Sequence, residues 1–255
     1  MTTLSHADSE AEIRSYRTAF GVSAGVWAQR LHHVQDAYWI ASAGSLLPDY
    51  NLALVHDQPA AELTTLVIDT VLASKDPTLV MLAGAGLGGA QTLADANWVC
   101  LRTLPLMMLS NNGAPDRAVR QLVPADLPRA REIAAAAFAV PEELAATIYS
   151  ATVMNDENAL FTGLFDEGQL VSTFVTCRNG SVITGWAMAT DPARMRRGLA
   201  ARLMGATVHL AAQQHGPTVL LGLATDAGRH TYEQIGTRVI EHWQIWSRPR
   251  WVFAG

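Results

Sequence analysis

Apolar and polar positions along the chain fall into two periodic regions, which a cluster of turn-forming residues separates. The cluster is Ser110-Asn111-Asn112-Gly113-Ala114-Pro115-Asp116, and Ser, Asn, Gly, Pro and Asp each favour turns for a separate physical reason. We therefore predict two domains, at residues 1–110 and 119–255, joined by a linker at 111–118. Both lengths lie within the range of ordinary globular domains.

In the second region the apolar period changes several times between two, typical of strands, and about 3.6, typical of helices. The turns Asp166-Glu167-Gly168 and Asn179-Gly180 separate three central strands, and Asn-Gly is a strong hairpin signal. The predicted strands are 119–123, 159–165, 169–178, 181–190, 219–225 and 238–246. The predicted helices are 127–138, 141–154, 198–214 and 227–235.

The first region shows a similar alternation after a helical pattern at 10–34. Pro105 lies within its last strand and predicts a bulge or an edge position, because proline has no backbone N–H to donate. The predicted strands are 51–56, 78–83 and 99–109, and the predicted helices are 60–74 and 89–96. The order strand, helix, strand, helix, strand is also predicted for the second region from Ser181 onward.

Composition and charge exclude several classes of protein. Hydrophobic residues make up 49% of the chain and charged residues 16%, and no apolar run approaches the roughly 18 residues of a membrane span, so a soluble cytoplasmic protein is expected. The net charge of −5 argues against general nucleic-acid binding, which needs basic surface. The two cysteines are too few for a disulfide framework and too isolated for a zinc site.

A basic, glycine-containing turn joins the strand at 181–190 to the long helix that follows it. The turn reads Met195-Arg196-Arg197-Gly198-Leu199-Ala200. The first amides of a helix have no intrahelical partner and lie at the positive end of its dipole, so they can bind an anion. Small residues let a pyrophosphate approach these amides, and the two arginines add positive charge. The alternative is that the arginines only solvate one face of an amphipathic helix.

A second motif follows the apolar strand at 219–225. It reads Thr225-Asp226-Ala227-Gly228-Arg229-His230-Thr231-Tyr232-Glu233-Gln234-Ile235-Gly236-Thr237, which predicts a polar strand end and a short helix that carries Tyr232. About 30 residues separate the two motifs, the length of one helix and one strand, so the chain returns to the same edge of the sheet.

The order of elements in the second region, together with the motif at 195–200, resembles the GNAT superfamily of acyltransferases. The resemblance covers roughly residues 119–248. The family pattern at the turn is Gln or Arg, two residues, Gly, one residue, and then Gly or Ala. Gly198 and Ala200 fit this pattern, whereas Met195 departs from it. The resemblance implies an α/β (α+β) GNAT fold, in which helices flank a mixed, mostly antiparallel sheet.

The second motif resembles the closing segment of the same family. Tyr232 and Gly236 hold the family's positions for these residue types. Thr225, Gly228 and Thr237 stand where the family commonly has Asn, Ala and Phe.

The resemblance implies a domain that binds acyl-coenzyme A, such as acetyl-coenzyme A, and transfers its acyl group to an amine by direct attack in a ternary complex. It implies that Tyr232 protonates the leaving thiolate, that a strand amide at 188–190 holds the oxyanion, and that no metal takes part. A core tyrosine is the alternative for Tyr232. The residues expected to bind the coenzyme are Met188, Ala189, Thr190, Met195, Arg196, Arg197, Gly198, Leu199, Ala200, Ala201, Thr225 and Gly228.

The general base and the substrates stay open. The strand before the turn has no carboxylate or histidine, so a water chain is one solution; Glu157, Asp226, His230 and Glu241 are other candidates, and none is assigned. The acceptor is a free amino compound, an aminoglycoside-like antibiotic, a natural-product intermediate or a protein N-terminus. The donor is coenzyme A or a carrier-protein thioester. A non-catalytic acyl-coenzyme A sensor is the alternative function, and the protein is a monomer or a homodimer.

The loop Gly84-Ala85-Gly86-Leu87-Gly88-Gly89 supports a rival hypothesis. It follows an apolar strand, precedes a helix and satisfies the dinucleotide fingerprint. The acidic residue expected about twenty residues later is missing; Arg102 stands near that place and would suit the 2′-phosphate of NADP. No further parallel strands follow before the second domain, which argues against a dinucleotide fold.

We prefer the hypothesis that the first domain is a degenerate copy of the second, so that the chain is a tandem GNAT. The copy's counterpart of the pyrophosphate turn, His56-Asp57-Gln58-Pro59-Ala60-Ala61, has no glycine and no lysine or arginine, so it should not bind coenzyme A. Instead the copy should wall the substrate cleft of the second domain. The residues suggested for this wall are His32, His33, Tyr38, Trp39, Asp49, Tyr50 and Asn51.

Overall fold

The computed structural model describes residues 9–110 and 113–252, and within them eleven strands form one continuous sheet. The strands are β1 Leu31–Val34, β2 Tyr38–Ser42, β3 Asn51–Val55, β4 Leu79–Leu82, β5 Val99–Leu109, β6 Val119–Gln121, β7 Ala159–Asp166, β8 Gln169–Asn179, β9 Val182–Thr190, β10 Val219–Leu223 and β11 Arg238–Ser247. The α-helices are α1 Glu10–Ala24, α2 Ala60–Ser74, α3 Ala90–Asp95, α4 Leu127–Phe138, α5 Glu142–Ala145, α6 Ala151–Met154, α7 Leu199–His215, α8 Asp226–Gln234 and α9 Pro249–Val252.

The strand order across the sheet is β1-β2-β3-β4-β11-β5-β10-β9-β8-β7-β6. The pairs β3–β4 and β9–β10 are parallel, and the other neighbouring pairs are antiparallel. The predicted mixed, mostly antiparallel sheet flanked by helices is therefore confirmed.

The two halves of the chain exchange their last strands at the centre of this sheet. β5 ends the first half and pairs with β10 of the second, whereas β11 ends the second half and pairs with β4 of the first. On each side of the β5–β11 pair, the chain runs from a strand through a helix to a parallel strand, through α2 in one half and α7 in the other. The predicted division at 111–118 stays a prediction, since the central strands join both halves in one sheet; residues 111 and 112 lie outside the described part.

Alternate residues of the strands enter different core clusters, as the period of two requires. On β8, Val175 packs in a core that spans both halves and includes Trp27 and Trp243, whereas Phe174 packs against the residues buried by α7. On α7 the buried residues Leu199, Leu203 and Ala206 recur at helical spacing.

Several element predictions were wrong in their bounds or character. The helix predicted at 10–34 ends at Ala24, and its last residues instead form β1. Pro105 lies in a central strand, not at an edge; its carbonyl accepts from the Ala224 N–H where the β5–β10 pairing ends. Next to Pro105, the β5–β11 pairing has a register shift between Val239 and Glu241, so the bulge alternative of the prediction agrees with the structure.

His56, directly after β3, is buried, and no described residue bonds either of its ring nitrogens. Burial, reinforced by the nearby Arg17 guanidinium, lowers the pKa of His56 to about 4 from the ordinary value of 6.5. Between these two pH values the unfolded chain binds more protons than the folded one. The free energy of unfolding therefore falls as the pH falls.

We expect the acid sensitivity of the fold to decrease when His56 is replaced by leucine. From pH 7 to pH 4.5 the parent should lose about 2 kcal/mol more of its free energy of unfolding than His56→Leu does. Chemical denaturation at both pH values measures the difference. Equal losses would show that the histidine is not held neutral in the fold.

Candidate active site

Strands β9 and β10 are paired at one end and separate at the other. Their parallel pairing runs from Val182 with Val219 to Thr184 with Leu221. β9 then continues to Thr190 without a partner strand on that side. The edge of β9 from residue 185 onward therefore borders a cleft.

A β-bulge lies where the two strands separate. In the β8–β9 pairing Val175 is opposite Ala187 and Thr176 is opposite Gly185, so Trp186 is left without a partner. Bulges bend a strand and are common beside functional sites. Gly185, directly before Trp186, is the signal that could have indicated this bulge, because a glycine inside a strand often marks one.

Backbone amides of β9 are directed into the cleft at two of the three residues suggested for the oxyanion. The N–H of Asp191 donates to the Val171 carbonyl on β8. Because hydrogen-bonded and non-hydrogen-bonded pairs alternate along antiparallel strands, Ala189 also bonds β8, whereas Met188 and Thr190 point their N–H groups to the opposite side. These two amides face the cleft.

The turn before α7 has the geometry of an anion site. Gly198 adopts a φ of 71°, in the left-handed region that favours glycine, and no side chain caps the helix. The first intrahelical bond runs from the Arg202 N–H to the Gly198 carbonyl. The N–H groups of Leu199, Ala200 and Ala201 thus lack intrahelical acceptors, and a Cβ at Gly198 would have no heavy atom within 4 Å.

Ion pairs divide the arginines near this turn into two sets. Arg194 and Arg202 each pair with an aspartate, at 2.6 and 2.8 Å. Arg196 and Arg197 are exposed and make no ion pair with any residue in 9–110 or 113–252. The alternative that the arginines only cover one face of the helix therefore fits Arg194 and Arg202. Arg196 and Arg197 remain available to bind phosphates.

Tyr232 lies on α8, with its hydroxyl against the backbone of Gly222 on β10. A Cβ at Gly222 would overlap this hydroxyl, so the absence of a side chain there makes room for it. Burial raises the pKa of Tyr232 to about 12, and the described part of the chain offers its hydroxyl no hydrogen bond. The phenol is therefore neutral near pH 7 and has a proton to donate.

A cavity of about 580 Å³ brings Tyr232 together with Met188, Thr225 and Gly228. The other residues expected to bind the coenzyme, Ala189, Thr190 and the turn 195–201, are not among those lining it. The side chain of Thr225 instead accepts from the Gly228 N–H and caps α8. The assignment of these residues to a coenzyme site stays a prediction.

Two of the seven suggested wall residues, Asp49 and Tyr50, line this cavity. The other five do not. Trp39 and Asn51 are fully buried in the first half, where Asn51 bonds the carbonyl of Ser45. His33 bonds Tyr38 and His32 bonds the Gly21 carbonyl. The lining also includes Trp186 and Arg102, which sequence reasoning did not place there.

None of the candidate bases whose side chains the structure describes lines the cavity. Glu241 accepts from Arg17 at 2.6 Å and from the indole N–H of Trp243 at 2.7 Å. His230 is exposed on α8, and Glu157 lines a separate pocket. The side chain of Asp226 lies outside the described part. These contacts favour a water chain over a dedicated base.

No family model and no curated protein matches the sequence. Solved structures do resemble the chain. A GCN5-related N-acetyltransferase from Kribbella flavida aligns with a TM-score of 0.67 and 16% identity, covering 94% of this chain and 95% of its own. The chain has the GNAT fold.

Two further structures agree with this result. A GCN5-related N-acetyltransferase from Sphaerobacter thermophilus aligns with a TM-score of 0.56 and 14% identity, covering 94% of this chain and 93% of its own. A tandem GNAT protein from the clavulanic acid biosynthesis pathway aligns with a TM-score of 0.54 and 11% identity, covering 82% of this chain and 78% of its own. At these identities the likeness establishes the GNAT fold and leaves the reaction to be argued from the site.

Within this GNAT fold, the glycine loop at Gly84–Gly89 lies against strand β3. It forms a 3-10 helix followed by the six-residue α3. A Cβ at Gly86 would overlap the Val55 carbonyl, so the glycine serves close packing on the strand. Asp57, in the counterpart of the pyrophosphate turn, pairs with Arg14 at 2.6 Å.

We expect NADPH to produce no saturable shift in melting temperature, because the loop backbone is occupied by its contact with β3. A thermal-shift titration to about a millimolar measures this. A dissociation constant below about 10 μM would revive the dinucleotide hypothesis.

Proposed function

We propose that this protein is an N-acyltransferase that transfers an acyl group from acyl-coenzyme A, in the simplest case acetyl-coenzyme A, to an amine. The observation that carries the proposal is the placement of two complementary groups at the β9–β10 cleft. The strand β9 leads into a helix start without a side-chain cap, beside the exposed Arg196 and Arg197. The cavity of about 580 Å³ is lined by the neutral Tyr232 phenol.

The pyrophosphate of the coenzyme binds the free amides of Leu199, Ala200 and Ala201, with Arg196 and Arg197 adding charge-assisted hydrogen bonds. The pantetheine then follows β9 toward the cavity. Its thioester carbonyl accepts from the N–H of Met188 or Thr190, which stabilises the oxyanion as it forms.

The amine attacks the thioester carbon, forming the C–N bond, and the tetrahedral intermediate then breaks its C–S bond. Tyr232 donates its proton to the departing thiolate and regains one from solvent. The proton released by the amine leaves through water, since none of Glu157, His230 and Glu241 lines the cavity. This route forms no acyl-enzyme.

We further propose that the first half of the chain walls the acceptor side of the cleft, without binding coenzyme A itself. The cavity contacts of Asp49 and Tyr50 support this role. The ion pair of Asp57 and the closed packing of Gly86 support the absence of a second coenzyme site.

Release of coenzyme A thiol from acetyl-coenzyme A, followed with a panel of primary amines, tests this function. We expect amine-dependent thiol release and an N-acetyl product detectable by mass. Binding of acetyl-coenzyme A without any product would instead support the sensor alternative.

A further inference from the structure

The cavity beside Tyr232 has an apolar floor, built by strands of the first half of the chain together with Ile245 of β11. Leu52 pairs with Leu79, and Met81 pairs with Ile245. Paired residues lie on the same face of a sheet, as do residues two apart on a strand, and all four line the cavity. Leu104 of β5 extends this floor toward β10.

The other walls are also mainly apolar. They come from α1, from the segment that follows α4, and from β9 at its bulge, through Phe20, Val140 and Trp186. The indole N–H of Trp186 is already used, since it donates to Thr184 at 2.7 Å. A ligand in this cavity therefore meets hydrocarbon and aromatic surface over most of its length.

Two side chains of opposite charge, Asp49 and Arg102, are the charged residues of the lining. Both are exposed, and neither side chain has an ion pair or hydrogen bond within residues 9–110 and 113–252. Arg102 lies five residues along β5 from Met107, which pairs with the Gly222 that contacts Tyr232. At 3.4 Å per residue, about 17 Å of β5 separates these two positions, whose side chains lie on opposite faces of the sheet. The cavity reaches both faces, because Leu104 and Tyr232 both line it.

We propose that the acceptor is a primary amine on an extended hydrocarbon or aromatic body, with an anionic group at its far end that Arg102 binds. This inference rests on the proposed acyl transfer and names its substrate class. The apolar body fills the floor, and the span from Tyr232 to Arg102 sets the distance between the amine and the anionic group.

The same lining argues against the other acceptor classes. A polyamine or an aminoglycoside needs several carboxylates, and the lining has one. A peptide would bring amide groups into the cavity, where the apolar floor offers them no hydrogen bonds, and burying such groups unpaired is unfavourable. A fatty acyl chain of the donor could occupy the floor, but its methyl end has nothing for Arg102 to bind.

The experiment compares n-alkylamines of four to ten carbons with ω-amino acids of six to twelve carbons, using acetyl-coenzyme A as donor. We expect kcat/KM to rise about two- to fourfold per methylene until the floor is covered. The longest ω-amino acids should exceed alkylamines of equal length. A flat dependence, or better turnover of spermidine or a tetrapeptide, would overturn the inference.

Arg102→Gln should lower kcat/KM for the ω-amino acids more than for alkylamines of equal length, and so remove the advantage of the ω-carboxylate. Arg117→Gln, which changes an exposed arginine outside the lining, should keep that advantage. Leu79→Ala should reduce the dependence on chain length, and Leu66→Ala, on the exposed side of α2, should not. If Leu79→Ala instead changes the use of octanoyl-coenzyme A relative to acetyl-coenzyme A, the floor holds the donor chain and the inference is wrong.

Binding separates this inference from the proposed function. Quenching of tryptophan fluorescence by the alkylamines, in the presence of coenzyme A, reports occupancy without turnover. Binding that tightens with chain length but yields no product would retain the cavity's specificity and contradict the acyl transfer. Acyl transfer to amines whose binding does not tighten with chain length would support the proposed function and contradict the proposed substrate class.

Discussion

Gly198→Glu is expected to abolish acetyl-coenzyme A binding, raising Kd by at least about 100-fold, or about 2.7 kcal/mol. The new carboxylate would stand at the start of α7, in front of the amides of Leu199, Ala200 and Ala201, where a pyrophosphate needs to lie. It would repel the phosphates and also pair with Arg196 or Arg197. Isothermal titration calorimetry of parent and variant measures the change.

Gly180→Glu is the matched control. Gly180 also adopts a positive φ, at 60°, and a Cβ there would also have no neighbour within 4 Å. The control therefore introduces the same side chain, charge and backbone strain, about 1–2 kcal/mol, in the β8–β9 hairpin. We expect its affinity for acetyl-coenzyme A to equal that of the parent. Equal affinity in Gly198→Glu would place the coenzyme elsewhere.

Tyr232→Phe is expected to lower kcat by at least about tenfold, since general-acid groups contribute about 10²–10⁴-fold and water substitutes in part. The ring and its packing against Gly222 remain, and the hydroxyl has no hydrogen bond to lose within the described residues. Stability should thus stay within about 1 kcal/mol. The Kd for acetyl-coenzyme A should stay within about threefold, because the lost interaction is made mainly in the transition state.

The raised pKa of Tyr232 also sets the expected dependence of the rate on pH. Because burial raises the pKa of Tyr232 to about 12, the phenol keeps its proton throughout the usual assay range. The parental rate should rise with pH as the amine loses its proton and should show no fall below about pH 10. Tyr38→Phe, which removes a hydroxyl on β2 outside the cavity lining, serves as control and should turn over like the parent. A Tyr232→Phe variant as fast as the parent would make this tyrosine a core residue.

The order of the second half and its turn before α7 could be predicted because both depend on local sequence. Period changes, the Asn179-Gly180 turn and the basic residues around Gly198 are visible within a few positions. The same locality explains why Tyr232 could be assigned to a short helix directly after a strand.

The exchange of β5 and β11 could not be predicted, because strand pairing between residues more than a hundred positions apart leaves no trace in periodicity. The cavity lining depends on that exchange. Arg102 and Ile245 face the same cavity only because β5 and β11 are neighbours. The bulge at Trp186 was not predicted either, although Gly185 beside it was a local signal.

A crystal structure with acetyl-coenzyme A would show where the coenzyme binds. We expect pyrophosphate oxygens within hydrogen-bond distance of the amides of Leu199, Ala200 and Ala201. We also expect a thioester carbonyl against the N–H of Met188 or Thr190, with its sulfur beside the Tyr232 hydroxyl. Coenzyme bound along the Gly84–Gly89 loop, or with its sulfur remote from Tyr232, would contradict this placement.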